Sequence, residues 1–570
     1  MVRTLIRRAT RAAVLLGATL CSGATVPRNI VDLQPFRNTT SIAVERTNGD
    51  AGVATLIDLN RNVGNWYLLN VDWSGKSPGG TYHLENVGLK RPLHLAGGNG
   101  TSLALVAADG ASCALRIGQS NDVLVLASRT GLPYAPICPG AVYLRNPVAG
   151  HRTSIERVTD FLRDEVWGGD ELVNFVKKQV YRDAFLEKSG TSGVAVPGTA
   201  PAVVGPAPAR IAPESVNASI AGEHLAIDVD RHGGPLFAGQ WYAVSGLSDV
   251  YLSSLAPSHI EAAIRSTRRP NVNLLDAVEL QALVYLVAFD LSELDLHFVL
   301  GTDHPRVDWS DRPPASSRDS TLPGPDGIGT AAPLVTNGMV GPRDVDRTVA
   351  AFTGGFKRSH GAFRHGALAT RNHGSHYGFV EEGVVFSKLQ PGLSTVVVLD
   401  DGNVSLRTWT TADDEKLPHV RYARQNGVPL IEPAPSSPDG IPGPLVNQWG
   451  AGNWSGSADE DLRSLRAGLC LAMHGGRSFL IYGYFSAATP SAMARVFQAY
   501  GCRYAMHLDM NALEHTYLAL YIRQDRSRVV EHLVSGMEEV DRASRGALAP
   551  RFLSFPDDRD FFYLTRRPSR

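Results

Sequence analysis

Residues 466–510, which read RAGLCLAMHGGRSFLIYGYFSAATPSAMARVFQAYGCRYAMHLDM, contain the most regular pattern in the chain. Two apolar runs on either side of a His-Gly-Gly turn predict a pair of strands. Thr489 is a favoured N-cap residue, and Pro490 suits the first helical position, where its missing N–H group is not needed. Gly501 ends the helix, and a further apolar run leads directly into Asp509. The segment therefore predicts a strand–helix–strand unit with polar groups at the end of its last strand.

The chain before this unit alternates short apolar runs with polar turns. Residues 284–291 and 294–300 predict two strands, and residues 395–399 and 404–409 predict two more. A polar, proline-bearing loop occupies residues 303–329, and long loops in compact domains are often functional. We therefore expect these strands and the unit that follows to belong to one domain.

The first part of the chain has a different pattern. Short alternating runs separated by glycine-rich turns predict a β-sandwich, and a later stretch with helical spacing of apolar residues predicts a helical segment. A Pro/Ala/Gly-rich stretch then favours extended backbone. The expected order is a signal peptide at 1–24, a β-rich domain at 30–150, a helical segment at 151–188, a linker at 189–213 and a C-terminal domain at 216–555 with its core at 284–521. The expected fold class is α+β, with a mixed α/β C-terminal domain and an N-terminal β-sandwich-like domain.

The N-terminal residues have the features of an export signal. The first eleven residues contain four arginines, and an apolar run follows at 12–20. The small residues Ser22 and Ala24 then have the spacing of a signal peptidase site. We therefore expect a secreted or periplasmic protein without an integral membrane segment after signal cleavage. An uncleaved N-terminal membrane anchor is the alternative.

Four cysteines remain once the signal peptide, which contains Cys21, is removed. Cys113 and Cys138 fall in the expected β-rich domain, and Cys470 and Cys502 fall in the C-terminal one. In an exported protein this favours two local disulfides, Cys113–Cys138 and Cys470–Cys502, among three possible connectivities. Buried free thiols are the alternative.

Composition excludes several function classes. Lys plus Arg number 55 against 56 Asp plus Glu, so no global positive field attracts nucleic acid. No Cys/His zinc spacing occurs, and we expect neither a bound metal nor a cofactor. The sequence thus points to chemistry carried by its own side chains.

His507 and Asp509 are the first candidates for such chemistry. They are two residues apart on a predicted strand, so their side chains point to the same face. A carboxylate beside an imidazole can orient it, raise its pKa or form half of an acid–base pair. A solvated strand end with two ordinary polar residues is the alternative.

A second candidate is a basic, glycine-containing loop. It includes Lys357, Arg358, His360, Arg364, His365, Arg371, His373 and His376. Such a loop could bind an anionic group such as phosphate. A metal held by histidine pairs and a solvated basic loop are the alternatives. Directly before it, Thr353, Gly354 and Gly355 end a predicted strand, and backbone N–H groups in such a turn can bind an oxyanion.

Five short motifs, in this order, resemble the phosphodiester glycosidase family. They are Ala351–Lys357 (AFTGGFK), Gly378–Phe386 (GFVEEGVVF), Arg466–Cys470 (RAGLC), His474–Arg477 (HGGR), and Ala499–Cys502 (AYGC) followed by Met506–Leu513 (MHLDMNAL). The resemblance covers about 240 of the 570 residues.

The resemblance implies hydrolysis of a sugar–phosphate diester, with a carbohydrate or sugar phosphate as substrate. It makes Asp509 the catalytic carboxylate, assisted by Arg466 and His507. The implied substrate-binding residues are Thr353, Gly354, Gly355, Arg358, Arg364, His365, His474 and Arg477. Such a reaction needs a carboxylate for acid–base or nucleophilic work and cationic groups for the phosphate.

The sequence departs from the family at two places. Thr353 stands where the family has asparagine, and residues 510–513 replace a glycine run. The Cβ atoms of these four residues would crowd a ligand that approaches the backbone. An exported glycan-binding or structural envelope protein without catalytic activity is therefore the second hypothesis.

Overall fold

The computed structural model describes residues 29–568 except for 47–48, 75–78, 98–101, 119–120, 154–155, 158–181, 190–204, 232, 311, 358–361, 364–366, 371–376, 435–438, 449–461, 525–526 and 545–546. The signal peptide predicted at 1–24 lies outside the described residues. Most of the helical segment predicted at 151–188 and of the linker predicted at 189–213 also lies outside them. These three assignments stay predictions.

The N-terminal part is built from two antiparallel sheets. Its strands are β1 (Asn38–Glu45), β2 (Ala51–Asp58), β3 (Trp66–Trp73), β4 (Gly80–Asn86), β5 (His94–Gly97), β6 (Ser102–Val106), β7 (Ser112–Arg116), β8 (Tyr134–Cys138) and β9 (Val142–Arg145). One sheet has the strand order β1-β2-β3-β4-β9-β8, and the other has the order β5-β6-β7. Alternating apolar side chains from both sheets, such as Leu56, Leu69 and Leu105, share one core.

The C-terminal part contains the remaining described strands. They are β10 (Ser219–Ile220), β11 (Leu236–Phe237), β12 (Trp241–Val244), β13 (Leu247–Leu255), β14 (Val284–Asp290), β15 (Leu294–Val299), β16 (Thr348–Thr353), β17 (Phe379–Glu381), β18 (Val384–Ser387), β19 (Ser394–Leu399), β20 (Val404–Thr408), β21 (Val420–Gln425), β22 (Ile431–Pro433), β23 (Gly440–Pro442), β24 (Ser464–His474), β25 (Arg477–Ala488), β26 (Tyr504–Met510), β27 (Leu518–Gln524), β28 (Ser527–His532), β29 (Arg542–Ser544), β30 (Ala547–Ala549) and β31 (Phe561–Arg566).

Helices are short throughout the described residues. The α-helices are Val123–Ser128, Ala262–Arg265, Ala367–Thr370 and Pro490–Ala499. Single 3-10 segments lie at Ile30–Leu33, Pro213–Ser215, Pro257–His259, Glu279–Gln281, Ala315–Ser317, Val345–Arg347, Thr411–His419, Val446–Gln448 and Met537–Val540. Among the described residues, no helix has both the length and the apolar character needed to cross a membrane.

Three larger sheets organise the C-terminal part. The first has the order β12-β13-β14-β25-β24-β26-β22-β23, the second β15-β31-β16-β27-β28 and the third β18-β17-β21-β19-β20. The pairs of adjacent strands are antiparallel, for example β14 with β25 and β16 with β31. One large core joins the first two sheets, with Phe289 stacked against Phe352 across the gap at 6.2 Å between ring centroids.

The expected α+β class is wrong, because the chain is mostly β, with 41% of residues in strands and 13% in helices. The strand–helix–strand unit predicted a mixed α/β sheet. In the structure the helix Pro490–Ala499 connects β25 to β26, but β24 lies between these two strands and pairs antiparallel with both. The helix thus crosses over an antiparallel sheet and does not join neighbouring parallel strands.

A pair of glycines explains why this helix lies so close to the sheet. Gly468 of β24 and Gly483 of β25 face each other across the strand pair. A Cβ atom at Gly468 would lie 2.8 Å from Met493 Cε, and one at Gly483 would lie 3.1 Å from Phe497 Cζ. The two missing side chains make room for the apolar face of the helix.

Both expected disulfides are present. Cys113 of β7 is bonded to Cys138 of β8, and Cys470 of β24 is bonded to Cys502 just after the helix Pro490–Ala499. The first joins the two N-terminal sheets, and the second fixes the helix to the strand beneath it. Disulfides persist in oxidising compartments, so both bonds are consistent with an extracellular or periplasmic location.

Removing the Cys470–Cys502 bond should destabilise the protein. The double variant Cys470→Ala/Cys502→Ala is expected to lose about 2–4 kcal/mol of unfolding free energy, because the bond restricts the unfolded chain. Urea unfolding under non-reducing conditions measures this loss. The matched variant Cys113→Ala/Cys138→Ala should lose a similar amount, since the separations of 32 and 25 residues are close. An unchanged midpoint for the first variant would contradict the expectation.

Candidate functional site

Strand register brings three polar segments to one end of the second C-terminal sheet. The first residue of β31, Phe561, pairs with the last residues of both neighbouring strands, Val299 and Thr353. The chain directly after β15, the chain directly after β16 and the chain directly before β31 therefore meet. They supply Asp303, Lys357 and the run Asp557-Asp558-Arg559-Asp560, respectively.

Asp509 enters this cluster from the end of β26 and is held by Arg559. Arg559 Nη1 donates to Asp509 Oδ2 at 2.8 Å, and Arg559 Nε donates to Glu156 Oε1 at 2.6 Å. One buried guanidinium thus binds two carboxylates. Asp509 is only 5% exposed. Hydrogen bonds between charged groups are the strongest kind in proteins, so this arrangement fixes the orientation of Asp509.

Lys357 forms a second bridge in the same cluster. Its Nζ lies 3.3 Å from Asp558 Oδ2, 3.5 Å from Glu156 Oε1 and 3.5 Å from Asp303 Oδ2. Arg152 approaches from the other side, with Nη2 2.7 Å from Asp303 Oδ1 and Nε 3.2 Å from Asp558 Oδ2. Acidic and basic side chains therefore alternate through a connected network.

A neighbouring network of hydrogen bonds around Arg424 connects the cluster to the buried end of β26. The fully buried Arg424 donates from Nε to Asp560 Oδ2 at 2.7 Å and from Nη1 to Asn426 Oδ1 at 2.6 Å. Asn426 Nδ2 in turn donates to the carbonyl oxygens of His507, at 2.5 Å, and Leu508, at 2.7 Å. These bonds fix the backbone of β26 immediately before Asp509.

His515 borders the cluster on the side of Arg559. Its Nδ1 donates to the carbonyl of Met510 at 2.9 Å, and its Nε2 accepts from Arg559 Nη2 at 2.8 Å. The side chains of His515, Asp303 and Arg152 are 21%, 30% and 35% exposed, respectively. The cluster therefore reaches solvent along this edge, while Asp509 and Asp558 lie deeper.

The environment separates the pKa values of the buried carboxyl groups. Burial raises the pKa of Asp558 to about 6, against the attraction of Lys357 and with a further rise from the Glu156 charge. Burial also favours the neutral form of Glu156, but Arg559 and Lys357 outweigh it and hold the pKa of Glu156 well below its usual range. A carboxyl group with a raised pKa beside one with a lowered pKa is an arrangement suited to acid–base catalysis.

The strand end at Thr353–Gly355 lies next to this cluster. Gly354 N–H donates to the carbonyl of Asp560 at 2.8 Å, and Thr353 Oγ1 donates to the carbonyl of His515 at 2.7 Å. At Gly355, with φ at +132°, a Cβ atom would lie 2.7 Å from Arg424 Nη1. The absence of a side chain at Gly355 leaves room for Arg424 beneath the backbone. The turn therefore helps to position the residues of the cluster.

Arg466 and His507 lie in the interior, and the side-chain contacts that they make within the described part of the chain are with other groups than this network. Arg466 donates from Nε to the carbonyl of Ala488 at 2.7 Å and from Nη2 to that of Leu462 at 3.1 Å. Burial lowers the pKa of Arg466 to about 9. The ring of His507 packs on Phe356 with 4.9 Å between centroids, and burial, followed by the Arg466 charge, holds the pKa of His507 well below its usual range.

His474 and Arg477 lie at the turn between β24 and β25. They pair with each other in register, and Arg477 Nη1 is 2.6 Å from Asp290 Oδ2. Met510, the neighbour of Asp509, pairs with Arg466, which is eight residues from His474 along β24. At about 3.4 Å per residue the turn is about 27 Å away from Asp509.

The structure thus brings together Asp509, Thr353 and Gly354, and it separates them from His474 and Arg477. The predicted residues Arg358, Arg364 and His365 lie outside the described residues. Within the part of the chain that is described, no three His, Cys, Asp or Glu side chains form a group that could hold a metal ion.

Sequence reasoning missed several members of the cluster. The run Asp557-Asp558-Arg559-Asp560 stands directly before an apolar strand, and this abrupt change is a signal that could have pointed to it. Asp303 opens a loop that the sequence does mark as polar and long. Glu156 has no local signal, because its neighbours come from distant parts of the chain.

The similarities of this chain to known proteins are weak. No protein-family model and no curated protein matches the sequence. A structure of the zebrafish N-acetylglucosamine-1-phosphodiester alpha-N-acetylglucosaminidase catalytic domain is 9% identical, covering 67% of this chain and all of that chain, with a TM-score of 0.29. A hypothetical protein from Synechocystis is 11% identical, and the match covers 88% of this chain and 97% of that chain with a TM-score of 0.26. An exported protein from Burkholderia pseudomallei is 11% identical, and the match covers 44% of this chain and 73% of that chain with a TM-score of 0.18. All three TM-scores are low, so none of these similarities assigns a fold or an activity to this chain.

Proposed function

We propose that the protein is an exported hydrolase of sugar phosphodiesters in envelope or extracellular glycans. The observation that carries the proposal is the buried cluster in which Asp509 and Asp558 lie among Arg559, Lys357 and Arg152. It supplies carboxyl groups for proton transfer and cations for a phosphate, which are the groups this reaction needs.

The roles follow from the surroundings of the two carboxyl groups. Asp558, with its pKa raised by burial to about 6, is the group that can give a proton to the departing oxygen. Asp509, ion-paired with Arg559, is the carboxylate that can take a proton from the attacking water. Arg559 and Lys357 attract the negative charge of the diester and of the phosphate group that leaves.

Asp509 keeps the carboxylate role that the sequence predicts, but its cationic partner is a different one. Arg559 contacts Asp509 directly, whereas the guanidinium of Arg466 donates to backbone carbonyls in the interior. We therefore give the phosphate-facing role to Arg559. Arg466 and His507 support the strand that presents Asp509.

One observation favours the second hypothesis, an exported glycan-binding or structural protein without catalysis. Asp509 is nearly buried and already ion-paired, as carboxylates in purely structural networks are. In that case the cluster would fasten the segments around β31 to each other, and no sugar phosphodiester would be cleaved.

An activity panel separates the two hypotheses. The purified protein is expected to hydrolyse a chromogenic N-acetylglucosaminyl phosphodiester and to leave the corresponding glycoside without phosphate uncleaved, because the cations bind the phosphate. Release of the chromophore is measured for several sugar phosphodiesters. If all of them remain intact over a prolonged incubation, the hydrolase proposal is abandoned and the structural hypothesis stands.

A further inference from the structure

Two carboxyl groups from distant parts of the chain meet at one ammonium group. Lys357 Nζ lies 3.5 Å from Glu156 Oε1 and 3.3 Å from Asp558 Oδ2. Both carboxyl groups are buried. Two negative charges that share one positive charge in a buried place repel each other, and binding one proton relieves that repulsion.

The hydrogen bonding of both carboxyl groups is incomplete within the described part of the chain. Among the described residues, Glu156 Oε2 and Asp558 Oδ1 are buried oxygens that accept no hydrogen bond. An ionised carboxylate only accepts, whereas a protonated one also donates. A proton on one of these groups therefore supplies a donor where the described residues supply none.

Asp558 has several other charged groups around it. Lys357 and Arg152 contact its Oδ2, Arg559 and Asp557 are its neighbours in sequence, and Asp303 contacts both Lys357 and Arg152. Burial, then Lys357, Glu156, Arg559 and Asp557 are the causes that shift the pKa of Asp558, and the net effect is a rise. Glu156 is the largest of the acidic contributions.

We infer that Glu156 is a positioning residue of the proposed site. Glu156 shares Lys357 with Asp558, and the pair of carboxyl groups thereby retains one proton. Its effect on the reaction rests on the proposed function, but its effect on the proton does not. Glu156 thereby prepares Asp558 to act as an acid.

The backbone around Glu156 shows how it is held in place. His151 N–H donates to the carbonyl of Pro556 at 2.8 Å, and Asp558 N–H donates to the carbonyl of His151 at 3.2 Å. Gly150 N–H also donates to Thr302 Oγ1 at 2.9 Å. Residues 150–153 and 156–157 therefore add to the site, although they precede the domain expected at 216–555.

Infrared spectroscopy of the full chain tests the inference without any substrate. The carbonyl stretch of a protonated carboxyl group is followed from pH 4 to pH 8, and its assignment to Asp558 is made by its loss in Asp558→Asn. In Glu156→Gln, which removes the charge and keeps the shape, the midpoint of this band is expected to fall by about one pH unit. In Glu156→Asp, which keeps the charge, the midpoint should stay near that of the wild type.

Near-ultraviolet circular dichroism confirms that each variant is folded before its titration is interpreted. An Asp558 band with the same midpoint in Glu156→Gln and in the wild type overturns the inference, and so does the absence of a band lost in Asp558→Asn. If the expected shift is seen but no sugar phosphodiester is cleaved, the inference stands and the proposed function fails. If cleavage is seen, the basic limb of its pH profile should move in Glu156→Gln by the same amount and in the same direction as the band.

Discussion

Replacing Asp509 with asparagine is expected to lower the rate of sugar-phosphodiester hydrolysis by about 10²–10⁴-fold. The amide has nearly the same shape as the carboxylate and still accepts a hydrogen bond from Arg559, but it cannot take a proton from water. The change therefore removes the general base while disturbing the packing little. The measurement is kcat/KM of the purified variant on the phosphodiester that the wild type cleaves fastest.

Asp249→Asn is the matched control for this variant. Asp249 is also a buried carboxylate paired with an arginine, since its Oδ2 lies 3.1 Å from Arg566 Nη1, and it lies outside the cluster. Its kcat/KM should stay within a few-fold of the wild-type value. A folded Asp509→Asn variant with wild-type activity would remove Asp509 from the mechanism.

Replacing Arg559 with methionine should lower the free energy of unfolding more than any other substitution named in this Discussion or removal of either disulfide. Arg559 donates to both Asp509 and Glu156, and removing it leaves buried Asp509 without its cation and Glu156 with Lys357 alone. Breaking a buried ion pair in this way typically costs about 3–5 kcal/mol. Urea unfolding at neutral pH, followed by circular dichroism, measures the change.

Two further variants make this result specific. In Arg566→Met the lost guanidinium is half exposed, with a side-chain exposure of 51%, and only one buried carboxylate, Asp249, loses a cation, so a smaller loss than for Arg559→Met is expected. Adding Glu156→Gln to Arg559→Met should recover part of the loss, because Lys357 is then the partner of fewer buried carboxylates. A loss for Arg559→Met no larger than that for Arg566→Met would show that the cluster contributes little to stability.

Much of the local structure follows from the sequence, whereas the sheet order does not. The helix begins after Thr489 and ends before Gly501, as capping and glycine chemistry predict. The α+β class was inferred because a helix between two strands usually joins parallel neighbours. The pairing of β24 with both β25 and β26 depends on contacts that no local pattern encodes.

The candidate site was predictable to a smaller extent. Asp509 was found because it follows an apolar strand within a recognisable motif, and it does lie in the charged cluster. Arg466 was paired with it because their motifs occur together, but a motif does not say which face a side chain takes. Glu156 and Arg559 could not be assigned, since these two partners are separated from each other by 403 residues of sequence.

The central place of β31 has a consequence for how the chain folds. This strand pairs with β15 on one side and β16 on the other. Both of these strands precede it by about 200 residues or more, so the ribosome makes them well before β31. At typical rates of synthesis this leaves the two strands unpaired along these edges for tens of seconds. Contacts between such distant segments also form slowly, because the long loop must close first. The second sheet therefore closes only after β31 has been made, and until then β15 and β16 keep these edges open.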